Sequence, residues 1–249
     1  MSSTPAAAPR IGFDRFIPLD WATCALKVRG GAQNAEAIDA LLDAAGLGMP
    51  SRTKTRSVLN GLWLDPRAEL IGFAQRGFGV WQEFPTVPIP ALCWGMAIAA
   101  YPFFGKVAEL VGRLTAIQGD CTAAEIHRRL AETYGEGEVT RRAANRVIQT
   151  QASWGTCERV DKGRRVIRNP STAITNEALI AWLIEAAIRY TGRAISVSGL
   201  ASAAVLYPFR LEHSLTLVVS RSPVLELRSE GSGSPLVMLR WVDHDSSEH

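Results

Sequence analysis

The side chains with the most distinctive chemistry in this sequence are basic and amide groups between residues 139 and 170. Eight basic and two acidic residues fall in this stretch, a net charge of +6, against +3 for the whole chain. Arginine, asparagine and glutamine can make paired hydrogen bonds to base edges in the major groove of DNA. At helical spacing, one outward face would carry Arg141, Arg142, Asn145, Arg146 and Gln149.

A second basic group follows in a predicted hairpin. Residues 156–160 and 164–168 are β-prone, and the turn between them contains Gly163. Cations on such a hairpin suit contact with phosphates or with the minor groove of DNA. The side chains expected to make these contacts are Lys162, Arg164, Arg165 and Arg168.

Three predicted helices precede the hairpin, over 104–118, 123–134 and 138–154. Thr122 and Glu125 have the spacing of a capping box at the start of the second helix. On the third helix we expect an inward apolar face formed by Val139, Ala143, Val147 and Ile148. Three helices followed by a hairpin is the order of a winged helix-turn-helix, in which the third helix enters the major groove.

A third basic cluster lies at the start of a predicted helix from Pro50. Arg52, Lys54 and Arg56 have no acidic residue close by in the sequence, and cations at a helix N-terminus oppose the helix dipole. Binding to a DNA backbone would account for these charges. A solvated helix end would account for them equally well, so both interpretations stay open.

The sequence lacks the signatures of several enzyme and metal-site classes. It contains no GxSxG elbow, no phosphate-binding GxxxxGK[ST] loop, no GxGxxG and no HExxH. The four cysteines are more than three residues apart, which excludes CxxC zinc and redox motifs. The acidic residues Asp120, Glu125 and Glu132 are explained by capping and solvation. We therefore expect a non-catalytic protein with no cofactor and no metal.

Length and composition indicate an ordinary globular protein. The 249 residues are 47% hydrophobic and 20% charged, enough for one large or two small domains. The first ten residues resemble no secretion signal, and the few cysteines fit a reducing compartment, so we expect a cytoplasmic protein. Residues 84–105 carry no charge, but they contain four prolines, which favours a buried core helix over a membrane span.

The predicted fold is mainly α, with a central winged helix-turn-helix and a small antiparallel β element at the C-terminus. We expect a disordered arm over 1–10, a helical region over 11–103, the winged module over 104–170, a C-terminal unit over 171–241 and a disordered tail over 242–249. The C-terminal unit would begin with a helix near Asn176. It would end in two or three strands near Leu215–Val219, Val224–Leu227 and Pro235–Trp241.

Two stretches resemble a known family. The sequence RTKTRSVLNGLWL, residues 52–64, and the helical block 104–155 look like the DNA-binding accessory protein A of the BREX phage-exclusion systems. Proteins of that family are small, helical and bacterial, with winged-helix-like parts. The resemblance implies a role in phage defence, through DNA or through other defence subunits.

The sequence therefore predicts a non-catalytic protein that binds double-stranded DNA, as a phage-defence accessory subunit or a regulator. We expect other defence-system proteins as partners, and we expect no association with a membrane. The alternative is a scaffold subunit of a multi-protein complex, in which the basic residues meet an acidic protein surface without direct DNA contact.

Overall fold

The computed structural model of this chain describes residues 9–229 and 233–240. The predictions for the first eight residues and for the tail 242–249 lie outside the described residues. The described part is mainly helical and carries small β-sheets, as the composition and periodicity predicted. Most of its apolar side chains form one continuous core.

The N-terminal region is built from five helices, and the fifth is the most apolar of them. They are α1 (Leu19–Arg29), α2 (Glu36–Ala44), α3 (Met49–Leu59), α4 (Ile71–Glu83) and α5 (Ile89–Ala100). Pro50 and Pro90 lie in the first turns of α3 and α5, where a missing N–H costs no helical hydrogen bond. Every residue of α5 from Ala91 to Ala100 is buried, which confirms the predicted core helix.

No single helix in the described ranges is both long and apolar enough to cross a membrane. Helix α5 and the next helix, α6 (Pro102–Gln118), reach that length and composition only together, and they are bent by 117°.

The indole of Trp182 joins three helices of the core. Trp182 lies on α9 (Glu177–Thr191), stacks on Phe73 of α4 with ring centroids 4.5 Å apart, and donates its Nε1–H to the Phe73 carbonyl at 2.9 Å. The ring fits because glycines face it: a Cβ on Gly77 or Gly95 would lie 2.6 or 2.2 Å from its atoms. Helices α4, α5 and α9 therefore approach more closely than larger side chains would allow.

A first compact unit follows α5 and contains the predicted helix–helix–helix–hairpin segment. Its elements are α6, β1 (Asp120–Thr122), α7 (Ala123–Tyr134), α8 (Glu138–Ser153), β2 (Cys157–Val160) and β3 (Arg165–Arg168). The three strands form an antiparallel sheet in the order β1–β3–β2. The sequence predicted the helices and the hairpin within two residues, but it placed no strand at Asp120–Thr122.

A second unit repeats this order of elements in the C-terminal third. Its elements are α9, β5 (Ile195–Ser196), α10 (Val197–Ala201), α11 (Leu215–Arg221), β7 (Leu225–Arg228) and β8 (Leu236–Leu239), with the sheet order β5–β8–β7. In both units the strand after the last helix begins four residues beyond it. The connectivity and the strand order of the first unit thus recur in the second.

Local hydrogen bonds match between the units as well. The Thr122 hydroxyl accepts a hydrogen bond from the N–H of Glu125, and the Ser196 hydroxyl accepts one from Gly199. Ala123 donates its N–H to the Arg164 carbonyl at 2.9 Å. The equivalent bond, from Val197 to Pro235, is also 2.9 Å long. The capping box that the sequence predicted at Thr122 is present in full.

The second unit differs in the length of its last helix. Helix α8 has 16 residues, whereas α11 has seven. The chain before α11 instead forms β6 (Phe209–Leu211), which pairs in parallel with β4 (Thr172–Ile174). The second unit therefore has no counterpart of the N-terminal half of α8.

The strand predicted near Leu215–Val219 is wrong, because these residues begin α11. The alternating pattern of Leu215, Leu217 and Val219 indicated a strand. In the structure Leu215, Val218 and Val219 are buried at helical spacing, while Leu217 is 43% exposed. Packing against α9 and β7 overrides the β-propensity of this short apolar run.

The close contact between Gly95 and Trp182 predicts the effect of adding a methyl group at Gly95. We expect Gly95→Ala to lower the free energy of unfolding by about 1–3 kcal/mol, because the new methyl group collides with the indole. The matched control is Gly79→Ala in α4, where an added Cβ meets no atom within 4 Å. That variant should gain up to about 1 kcal/mol from helix propensity. Urea unfolding measures both, and equal effects would contradict the packing argument.

Candidate nucleic-acid interface

Helix α8 is held in the first unit by a continuous buried face. Ala143, Ala144, Val147 and Ile148 are at most 1% exposed, and α8 packs against α6 and α7. The helix follows the turn Gly135–Gly137, in which Gly135 has a φ of +79°. The left-handed conformation of Gly135 allows the reversal between α7 and α8. The face of α8 opposite its buried side is exposed to solvent.

The five predicted residues of α8 lie on or beside this solvent face. Arg141, Arg142 and Arg146 are exposed, whereas Asn145 and Gln149 are half-buried. Arg142 donates its Nε–H to Glu138 at 2.7 Å, and Arg146 donates to the Gln149 side chain at 3.0 Å. Arg142 lowers the pKa of Glu138. Such exposed pairs contribute little stability, so both guanidinium groups can exchange these partners for a ligand.

Val139 lies on the exposed side of α8, which corrects the inward position predicted from the sequence. Its side chain is 71% exposed, although it is the second residue of an amphipathic helix. Thr140, one residue on, is buried in its place, and its hydroxyl donates a hydrogen bond to the Gly135 carbonyl at 3.1 Å. The inward face is therefore rotated by one residue at the N-terminus of the helix.

His127 on α7 supports the middle of this surface. The half-buried ring interacts with the side chain of Asn145, and its Nε2 is buried with no hydrogen-bond partner in the described residues. Burial lowers the pKa of His127, so the ring is neutral at pH 7. Asn145 is thereby engaged by a neighbour within the unit, and the most exposed of the five predicted groups of α8 are the arginines.

The turn between β2 and β3 presents two of the predicted basic residues. Asp161 and Lys162 adopt φ values of +50° and +57°, and Gly163 follows at +82°. This left-handed backbone projects Lys162 and Arg164 into solvent at the tip of the hairpin. Arg164 is held by a long hydrogen bond to the Asp161 carbonyl, 3.4 Å.

The other two predicted hairpin cations lie in different surroundings. Arg165 pairs with Asp120 of β1 and with Asp161, and these carboxylates raise its pKa. Arg168 lies three residues further along β3, about 10 Å away. There it lines a separate cleft with Arg113 and Arg210. The four hairpin cations, predicted to contact DNA together, therefore lie in three surroundings. Lys162 and Arg164 are exposed at the tip, Arg165 is paired with acidic residues, and Arg168 lies in the separate cleft.

The cluster at the start of α3 is paired with α2. Arg52 donates to Asp39 at 3.0 Å and also contacts Asp43, and Arg56 contacts Asp39. Hydrogen bonding by Arg52 and the nearby Arg56 charge lower the pKa of Asp39. Lys54 is exposed. Asp39 and Asp43 lie at least nine residues before Arg52 in the sequence, so the local sequence pattern did not predict this pairing. The charges of Arg52 and Arg56 need no phosphate to balance them.

The cysteine thiols of the chain lie in its core. All four cysteines are buried and free, and burial raises the pKa of Cys93 and Cys121 to about 12 and that of Cys157 to about 11. These thiols stay protonated at neutral pH. Within residues 9–229 and 233–240, no three His, Cys, Asp or Glu side chains are grouped as metal ligands.

The half-buried ring of His127 predicts a pH dependence of stability. Because the folded pKa lies below the unfolded value of about 6.5, the unfolded chain takes up the proton more readily. This contribution to stability is complete above that value and is lost as pH falls through it. We expect His127→Gln to flatten the loss between pH 7 and pH 5.5, measured by urea unfolding. Equal slopes for wild type and His127→Gln would contradict the prediction.

Comparisons with known proteins identified no relative of this chain. No protein-family model, no curated protein and no solved structure matches the chain.

Proposed function

We propose that the first unit, residues 102–168, is a winged helix-turn-helix that binds duplex DNA. In this proposal α8 enters the major groove and the β2–β3 turn contacts the backbone beside it. The element order and the strand order β1–β3–β2 fit a winged helix. The observation that carries the proposal is the exposed stripe of Arg142 and Arg146 on the last helix of this unit.

The charges of the unit favour a polyanion. Arg141, Arg142 and Arg146 face solvent on α8, and Lys162 and Arg164 face solvent at the hairpin tip. Their acidic neighbour on α8 is Glu138, which is itself exposed and can move aside. In this proposal the helix supplies base-reading groups and the tip supplies phosphate-binding groups, the division of roles found in DNA-binding proteins.

A scaffold function is the second candidate, and a cleft between the N-terminal region and the second unit favours it. The cleft has a volume of about 640 Å³, lies between α4, α9 and α11, and is lined by Val80, Phe84, Trp182 and Val218. Its lining is largely apolar, as in surfaces that receive other molecules. A scaffold without DNA contact would show no affinity for naked duplex.

The phage-defence role is a further part of the proposal. It rests on the sequence resemblance of residues 52–64 and 104–155. A methyltransferase or an ATPase encoded beside this gene would support that role.

The DNA proposal predicts salt-sensitive binding that depends on α8 and the tip. Fluorescence anisotropy with a labelled duplex of about 25 base pairs should give a log–log salt slope of about −0.9 per phosphate contacted. We expect Arg142→Ala/Arg146→Ala to weaken binding at least about tenfold. Lys162→Gln/Arg164→Gln should reduce the slope by about two phosphate contacts, because these cations lie at the hairpin tip.

The second unit offers a matched control with the same loss of charge. Arg221→Ala/Arg228→Ala removes two exposed arginines from α11 and β7, and we expect the affinity for the duplex to stay at the wild-type value. Equal losses in all three double variants would indicate a nonspecific charge effect. No binding by the wild type at low salt would contradict the proposed function.

A further inference from the structure

An exposed valine stands at the N-terminal end of the basic face of α8. Val139 is 71% exposed, whereas the other aliphatic residues of the helix are at most 1% exposed, apart from the half-buried Ala152. A β-branched residue is a weaker helix former than alanine, leucine or lysine. Val139 therefore adds little to the helix or to the core, and its methyl groups are available to a ligand.

Val139 is aligned with the arginines by the helical repeat. Val139, Arg142 and Arg146 are spaced i, i+3 and i+7, so they follow one another along one side of α8. The rise between Val139 and Arg142 is about 4.5 Å, at about 1.5 Å per residue. Successive base pairs of DNA are about 3.4 Å apart. A base contacted by Val139 would thus lie within one or two base pairs of a base contacted by Arg142.

The major-groove edges of DNA offer one prominent apolar group to such a side chain. Each base pair presents hydrogen-bond donors and acceptors, and thymine adds its 5-methyl group. A valine can make no hydrogen bond with its side chain, but it gains free energy by covering a methyl group. Residues at the N-terminal end of a reading helix are the ones that contact base edges.

We propose that Val139 reads a thymine 5-methyl group, within one or two base pairs of the base bound by Arg142. This inference rests on the proposed function and adds the sequence preference to it: a guanine for Arg142 with a thymine close beside it. Val139 is then a specificity-determining residue, whereas Arg142 and Arg146 supply most of the affinity.

Deoxyuridine provides a test, because it differs from thymidine by this methyl group alone. Preferred sites are first selected with the wild-type protein from a randomised 25-base-pair library. The selected duplex is then synthesised with deoxyuridine at each thymine in turn, and anisotropy gives the Kd. We expect one position at which the wild type loses about fourfold in affinity. Val139→Ala should bind the two forms of that duplex with nearly equal affinity.

Ile117→Ala is the matched control, because it shortens an aliphatic side chain that is 83% exposed at the end of α6. That variant should retain the full preference for thymine. The inference is overturned if no thymine is sensitive to the exchange, or if Val139→Ala discriminates as the wild type does. Failure of the wild type to bind any duplex would overturn the proposed function itself, a result distinct from DNA binding without thymine preference.

Discussion

The arrangement of the helices depends on buried tryptophans that donate hydrogen bonds to distant backbone carbonyls. The indole N–H of Trp182 bonds to Phe73, that of Trp94 to Val205, and that of Trp154 to Ile17, each at 2.9 Å. A buried donor without a partner costs about 1–3 kcal/mol, so each bond selects one relative position of the two segments that it joins. Through Trp154, at the end of α8, the position of the proposed DNA-reading helix is set by the N-terminal segment of the chain.

The two repeated units show how one framework can carry different surfaces. Their strand order, capping hydroxyls and helix-to-strand bonds correspond, yet the last helix is long in one and short in the other. The missing half of α11 corresponds to the part of α8 that carries its exposed arginines. Two exposed cations of the second unit, Arg221 and Arg228, are paired with Glu177 and Glu226. The length of the last helix, more than the fold, separates the chemistry of the units.

Electrostatics in this protein is local. A net charge of +3 gives no indication of a polyanionic partner, and the cations differ mainly in their neighbours. Arg52, Arg56 and Arg165 each contact acids on other elements, which ties α2 to α3 and the hairpin to β1. On α8, Arg141 and Arg142 have the exposed Glu138 as their partner, and Arg146 has the side-chain amide of Gln149. A ligand can therefore displace these partners at a cost far below that of opening the core.

The sequence by itself determined the elements that depend on neighbouring residues. Helical periodicity placed α6, α7 and α8 within two residues, Thr122 and Glu125 marked a helix start, and a glycine turn marked the hairpin. Tertiary structure alone decided which charges are paired, which side of α8 holds Val139, and that Leu215–Val219 is a helix. It also revealed that the second unit repeats the order of elements of the first. These features arise from contacts between residues far apart in the chain, such as Asp39 with Arg52 or α11 with α9, and local patterns carry no record of such contacts.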